Sequence, residues 1–196
     1  YNVAFIEDAP YRELRFSGEA LPLVSDFCPQ HSIVLRSFSK IASPGLRIGV
    51  VTGKSSYLEP LIKIKQGADL HSSVPMQALL HGLLQHDNFE THISTICELY
   101  KSRYDVMYAE LEKQLPSNCV LKPVDGGMFV WVEIPECDTF ELAKSLLANG
   151  VAVVPSPVFY PEGSEVKAAL RLNFTNATPE ELKVAVTRLA AVLNAL

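Results

Sequence analysis

The 196-residue sequence predicts an α/β fold, on three observations. Short runs of Val, Ile, Leu and Phe recur and stop at turn residues, as buried strands do. Between them lie longer segments whose apolar residues return every three or four positions, as on one helix face. The composition, 48% hydrophobic and 20% charged, is that of a globular chain long enough to bury a sizeable core.

In order, the chain opens without an initiator Met on Tyr1-Asn2-Val3-Ala4-Phe5-Ile6, expected to form a buried strand over 2–6. A domain rarely begins in mid-sheet, so the sequence is expected to be a fragment whose N-terminal portion lies elsewhere. Glu7-Asp8-Ala9-Pro10-Tyr11 follows, putting a carboxylate and a phenol at the carboxyl end of that strand, where open α/β sheets bind ligands. A turn in which Asp8 accepts local backbone bonds is the plainer alternative. Residues 12–31, with Gly18, Pro22 and Pro29, are expected as loop with one short helix over 21–27. Strands are expected over 32–36 and 47–52, flanking a turn, and a helix from Lys54 through about 65. A loop then leads to an amphipathic helix over 76–85 with Leu79, Leu80, Leu83 and Leu84 on its core face.

Ile93, Ile96, Leu99, Tyr100, Tyr104, Met107, Tyr108 and Leu111 recur at helical spacing and predict a long helix over 88–115, ended by Pro116. Such a helix suits a bridge between two domains, placed at 1–100 and 101–196. The second comprises strands 120–123, 128–134, 151–154 and 170–174, a helix over 139–148 and a final helix after Thr178-Pro179-Glu180-Glu181. Thr178 is the expected cap, with Pro179 at the first helical position and Glu181 at the capping-box place. Gly126-Gly127 is not a GxGxxG, so no dinucleotide site is expected.

Bulk properties exclude some functions. A formal charge of -5 argues against a nucleic-acid surface on this segment. No apolar run approaches the roughly 18 residues of a membrane span, and no signal peptide is expected. Cys28, Cys97, Cys119 and Cys137 lie far apart without a CxxC pair, so free, mostly buried thiols in a reducing cytoplasm are expected. The five histidines show no HExxH, and no metal is assigned. His71, in a polar Asp-Leu-His-Ser-Ser stretch, faces either a site or solvent.

Chemistry concentrates in Ser37-Phe38-Ser39-Lys40-Ile41-Ala42-Ser43-Pro44-Gly45-Leu46-Arg47-Ile48-Gly49. Lysine seldom sits beside an apolar strand unless its ammonium is paired or its amine reacts. Here Arg47 follows Lys40 by seven residues, a fixed cation beside a candidate nucleophile. Turn-forming serines and a surface arginine are the alternative. A second cation in an apolar strand, Arg171 in Leu170-Arg171-Leu172-Asn173-Phe174, has the plain reading of an ion-paired structural residue.

Ser37-x-Ser39-Lys40 with Pro44-Gly45-x-Arg47-x-Gly49 resembles the cofactor-lysine segment of the fold-type I aminotransferases of class I/II, which use pyridoxal 5'-phosphate (PLP). The lysine-to-arginine spacing is similar to that of the branch containing 2-aminoadipate-type aminotransferases and the aminotransferase-like domains of some transcription regulators. The resemblance implies that Lys40 forms a Schiff base with PLP, that Ser37 and Arg47 hold its phosphate, and that Ser39 also belongs to the cofactor-binding set. It also implies that Asp8 pairs with the ring nitrogen, Tyr11 hydrogen-bonds the ring oxygen, and Arg171 takes the substrate carboxylate. Ser72 and Ser73 would approach the neighbour's cofactor phosphate in a homodimer with its site at the interface, helix capping being the alternative. Gly127 and Phe129 would lie near the substrate side chain, or serve as a hairpin turn and a core aromatic. Pro155-Ser156-Pro157-Val158-Phe159 departs from the Pro-Gly more usual in relatives, putting a stiffer loop there.

The implied fold is the C-terminal half of the aspartate aminotransferase-like architecture: the end of a large, mostly parallel sheet domain and a small α/β domain. The implied activity is transfer of an amino group between an amino acid and a 2-oxo acid. Two alternatives use nearly the same residues, a PLP-binding effector domain of a transcription regulator and a PLP-dependent lyase. The missing N-terminal half would carry a ring-stacking aromatic and further phosphate donors.

Overall fold

In the computed structural model, which describes residues 3–195, Phe5–Asp8 (β1) and Ser32–Ser37 (β2) run parallel, with Asp8 opposite Leu35. β2 pairs antiparallel with Gly49–Gly53 (β3), Ser37 opposite Gly49, giving the sheet order β1-β2-β3. The parallel pairing brings the carboxyl ends of β1 and β2 to one edge, where Asp8 and the turn after Ser37 lie. Gly49 is required there: a Cβ would meet the Arg36 carbonyl oxygen at 2.9 Å.

β1 differs from the strand expected over 2–6. It starts at Phe5, and Tyr1 and Asn2 lie outside the described residues. Nor is it buried: Phe5 and Ile6 are 46% and 69% exposed on what is an edge strand of the sheet. The short helix expected over 21–27 contracts to Val24–Phe27 (α1), since Leu23 is still extended; the Glu7 carboxylate accepts from the N–H groups of Val24 (3.1 Å) and Ser25 (3.2 Å). Ser55–Asp69 (α2) runs four residues past the expected end, with Lys65 paired to Asp69 at 2.9 Å. In Val74–Leu84 (α3) only Leu80 is buried; the row of Leu79 and Leu83, one residue around the helix, is exposed rather than on a core face.

Phe89–Gln114 (α4) carries the chain from one compact unit, Tyr1–Thr95, into a second, Ile96–Leu196. Tyr104, Met107 and Leu111 are its buried residues, at the predicted spacing. The second unit holds an antiparallel sheet of Val120–Leu121 (β4), Phe129–Glu133 (β5), Val154–Pro155 (β6) and Ala169–Asn173 (β7), in the order β4-β5-β7-β6. One face buries Val130, Val132, Leu170 and Leu172; the core also takes Leu142 and Leu146 from Thr139–Ala148 (α5) and Leu182, Val186, Leu189 and Leu193 from Pro179–Leu193 (α6). The strand expected over 151–154 starts later because Val151 closes α5 instead, its N–H donating to the Leu146 carbonyl at 2.9 Å after Gly150 at φ 77°. α6 begins in the predicted capping box: Thr178 Oγ1 accepts from the Glu181 N–H (3.3 Å) and Glu181 Oε2 accepts from the Thr178 N–H (2.8 Å). The Thr178 N–H first, and then the Thr178 hydroxyl donating to Oε2 at 3.0 Å, hold the Glu181 carboxyl below the usual range. No helix among the described residues is long and apolar enough to cross a membrane.

Candidate active site

The turn that carries Lys40 is closed by backbone bonds from Phe38 N–H to the Ile48 carbonyl (3.2 Å) and from Ala42 N–H to the Phe38 carbonyl (2.9 Å). Ile41, 3% exposed, anchors it from below, while Lys40 itself is half-buried. Pro44–Leu46 makes one 3-10 turn begun by Ser43, whose Oγ accepts from the Gly45 N–H at 3.3 Å. Arg47 then adopts the left-handed conformation (φ 55°, ψ 40°), so the next strand starts at Gly49 and not at Arg47. Its exposed guanidinium donates to the Pro44 carbonyl at 3.3 Å.

Lys40 Nζ lies 5.9 Å from the centroid of the Tyr11 ring. It makes no hydrogen bond or ion pair to any described residue, an uncommon condition for a half-buried lysine beside a strand. Tyr11 is held from several sides: its carbonyl accepts from the N–H of Leu14, which is fully buried, and Glu13 pairs with Arg36 of β2. Ala9 N–H extends the parallel pairing to the Leu35 carbonyl (2.9 Å), fixing the chain between Asp8 and Tyr11. Ser37 Oγ accepts from the Ser39 N–H at 3.2 Å and keeps its own proton free to donate. Lys40 and Tyr11 are thus together, Ser37 and Ser39 are together, and Asp8, exposed, ends β1 on the same edge.

One contributor escaped the sequence reading. His92, near the start of α4, donates from Nε2 to the carbonyl of Ile41 at 3.1 Å, bracing the residue next to Lys40. Nothing in a histidine on a helix marks a contact 51 positions away. His71 is exposed, its Nδ1 3.0 Å from the Ser72 carbonyl, and Ser73 makes no side-chain capping bond to α3.

In the second unit Arg171 sits in mid-β7, opposite Trp131 and Val154. It forms no ion pair with a described residue, so the structural salt-bridge alternative is not realised. Instead its guanidinium carbon lies 4.1 Å from the Phe129 ring centroid and 4.5 Å from that of Phe159, and its Nε is buried without a hydrogen-bond partner. The resemblance singles out Phe129 and Arg171; Phe159, delivered by a turn, has no such signal. None of the four cysteines forms a disulfide, as expected, but they are half-buried rather than buried, and burial raises the thiol pKa of Cys97, Cys119 and Cys137.

The family model for aminotransferase class I and II matches residues 1–189. The aromatic-amino-acid aminotransferase 1 of Thermococcus litoralis is 34% identical over 195 residues, 98% of this chain and 46% of that protein. The crystal structure of a multiple substrate aminotransferase from Thermococcus profundus superposes with a TM-score of 0.94 at 36% identity, covering 100% of this chain and 49% of that one. The α-aminoadipate aminotransferase of Thermus thermophilus, crystallised with N-(5'-phosphopyridoxyl)-L-leucine, gives 0.91 at 32% identity, covering 98% and 50%. The chain spans about half the length of the relatives it matches.

Proposed function

Because this chain belongs to the class I and II aminotransferase family, we propose that it supplies the lysine-bearing half of a PLP-dependent active site that moves an amino group between an amino acid and a 2-oxo acid. The observation that carries this reading is the half-buried Lys40 amine, unpaired among the described residues and 5.9 Å from the Tyr11 ring at the carboxyl edge of β1 and β2. The donor set fits the group: an amine for its aldehyde, a carboxylate for its ring nitrogen, a phenol for its ring oxygen, and two hydroxyls and a guanidinium for its phosphate.

Bound, PLP supplies an electron sink for the substrate α-carbon. Lys40 would hold the group covalently and, once released, carry a proton to and from that carbon. The Asp8 carboxylate would keep the ring nitrogen protonated by electrostatic attraction, and the Tyr11 O–H would orient the ring. Arg47, with Ser37 and Ser39, would grip the phosphate through charge-assisted hydrogen bonds. Arg171 would receive the substrate carboxylate. Residues 1–100 then form part of the large cofactor domain and 101–196 the small domain. Exposed Leu61, Ile62, Ile64, Leu79 and Leu83 on α2 and α3 support an assembly that covers this unit, a homodimer with its site at the interface. Four cysteine thiols, none in a disulfide, support a cytoplasmic setting.

The test is product analysis. The intact protein, given an amino acid and 2-oxoglutarate, is expected to yield glutamate and the matching 2-oxo acid in equal amounts. Release of ammonia or carbon dioxide without glutamate would replace the transferase by a lyase, and PLP binding without turnover would favour the effector domain.

A further inference from the structure

Side chains alternate across a sheet, so Phe129, Trp131 and Arg171 occupy the face of β5 and β7 opposite the one that buries Val130, Val132, Leu170 and Leu172. Phe129 pairs with Asn173 and is therefore diagonal to Arg171, within reach of a long side chain. Phe159 arrives by another route. After β6 the chain makes the 3-10 turn Ser156–Phe159, and the fully buried Ser156 ties that turn to β7, its Oγ accepting from the Ala169 N–H at 3.0 Å. The Tyr160 N–H closes the turn on the Pro157 carbonyl at 3.3 Å, with prolines at 155 and 157 restricting its backbone. Trp131 meets Phe159 edge-on, 5.7 Å between centroids.

The cation is thus flanked by two aromatic rings, at 4.1 and 4.5 Å, which attract it through their quadrupoles. One group stands out in this arrangement: Arg171 Nε is buried yet has no partner, whereas buried guanidinium donors are ordinarily satisfied. A buried charged donor left without a partner is costly unless something completes it.

We propose that Phe159, together with Phe129, is a positioning residue for Arg171: the two rings fix the guanidinium and keep Nε available, so that a substrate carboxylate binds through Nε and one Nη. The proposal rests on the reading of Arg171 as the carboxylate partner. It explains why the loop over 155–159 is stiff: its turn delivers a ring to the cation.

The test uses the 15N-labelled intact protein loaded with PLP. The Arg171 Nε–Hε resonance, identified by its loss in Arg171→Lys, is expected to shift on titration with 2-oxoglutarate. Phe159→Leu, which keeps apolar bulk without a ring face, is expected to raise the dissociation constant about tenfold, on the scale of one cation–π contact, while Phe159→Tyr leaves it unchanged. In the transamination assay the same Leu substitution is expected to raise KM for the amino donor about tenfold and to hold kcat within about twofold. Equal 2-oxoglutarate affinity in the Leu and Tyr variants, or a parent resonance that 2-oxoglutarate leaves in place, would overturn the proposal. Absence of transamination with the contrast in affinity intact would instead refute the enzyme reading and leave the role of Phe159 standing. Phe159 is 41% exposed, so both variants are expected to fold as the parent does.

Discussion

The Lys40 turn and the Arg171 strand hold two reactive cations by different means. Among the described residues the unit with Lys40 has five buried hydrophobic side chains, Leu14, Val34, Ile41, Ile48 and Leu80, against eighteen in the unit with Arg171. Lys40 is placed by backbone hydrogen bonds across a tight turn and by the brace from His92, on a sheet whose outer strands expose Phe5, Ile6, Val50 and Val51. Arg171 is placed by a packed antiparallel sheet and two aromatic rings. The first unit's geometry is local and its stability has to come largely from what covers it, whereas the second carries its own core. Mutations in the two should therefore separate activity from folding.

The largest contrast is expected at Lys40 itself. Lys40→Ala should reduce transamination by roughly a thousandfold or more, because it removes both the covalent anchor and the proton carrier. Trp131, the sole tryptophan, lies in the second unit and reports its unfolding; the stability read from the urea transition of that variant should move by less than about 0.5 kcal/mol. A large loss of stability would join the two regions that the comparison separates. The opposite case is Phe174, fully buried with its ring 5.6 Å from that of Tyr104. Phe174→Ala should cost about 3–5 kcal/mol in the Trp131-monitored transition, through lost burial and the cavity left behind.

Most of the second unit was legible before the structure. The apolar runs over 128–134 and 170–174 and the Thr178-Pro179-Glu180-Glu181 start of α6 are local signals, and the strands and the cap lie where they point. The first unit was less so. Its motif named the candidate residues through a resemblance, but apolar runs at Phe5 and Ile6 and at Leu79 and Leu83 predicted burial that this chain does not provide. Apolar sequence specifies that a surface is to be covered and not what covers it. Arg47 taught a smaller lesson: as part of an expected strand it should be extended, yet Pro44-Gly45 folds the chain into a 3-10 turn and Arg47 absorbs the reversal at positive φ. His92 and Phe159 stayed hidden because their partners are remote in sequence or delivered by an irregular turn.

Two weaker effects sharpen the same contrast. His92→Ala removes the donor to the Ile41 carbonyl, worth about 1 kcal/mol, and should raise the PLP dissociation constant roughly fivefold without shifting the Trp131 transition. Unchanged PLP affinity would show that the Lys40 turn needs no brace. The smallest effect lies at the α6 cap. The Glu181 carboxyl is held below the ordinary range by the Thr178 N–H and then its hydroxyl, so its contribution is present above the ordinary carboxylate pKa and is lost as pH falls through the lowered one. Below about pH 4 the urea midpoint of Glu181→Gln should fall less steeply than that of the parent, and identical slopes would remove the cap from the acid response.

The most direct measurement is borohydride reduction of the intact protein in the presence of PLP, followed by peptide mass mapping. A phosphopyridoxyl group on Lys40, absent in Lys40→Ala, is the predicted result. A stable label on any other lysine, with Lys40 left unmodified, would contradict the assignment of the chemistry to the turn between Ser37 and Gly49.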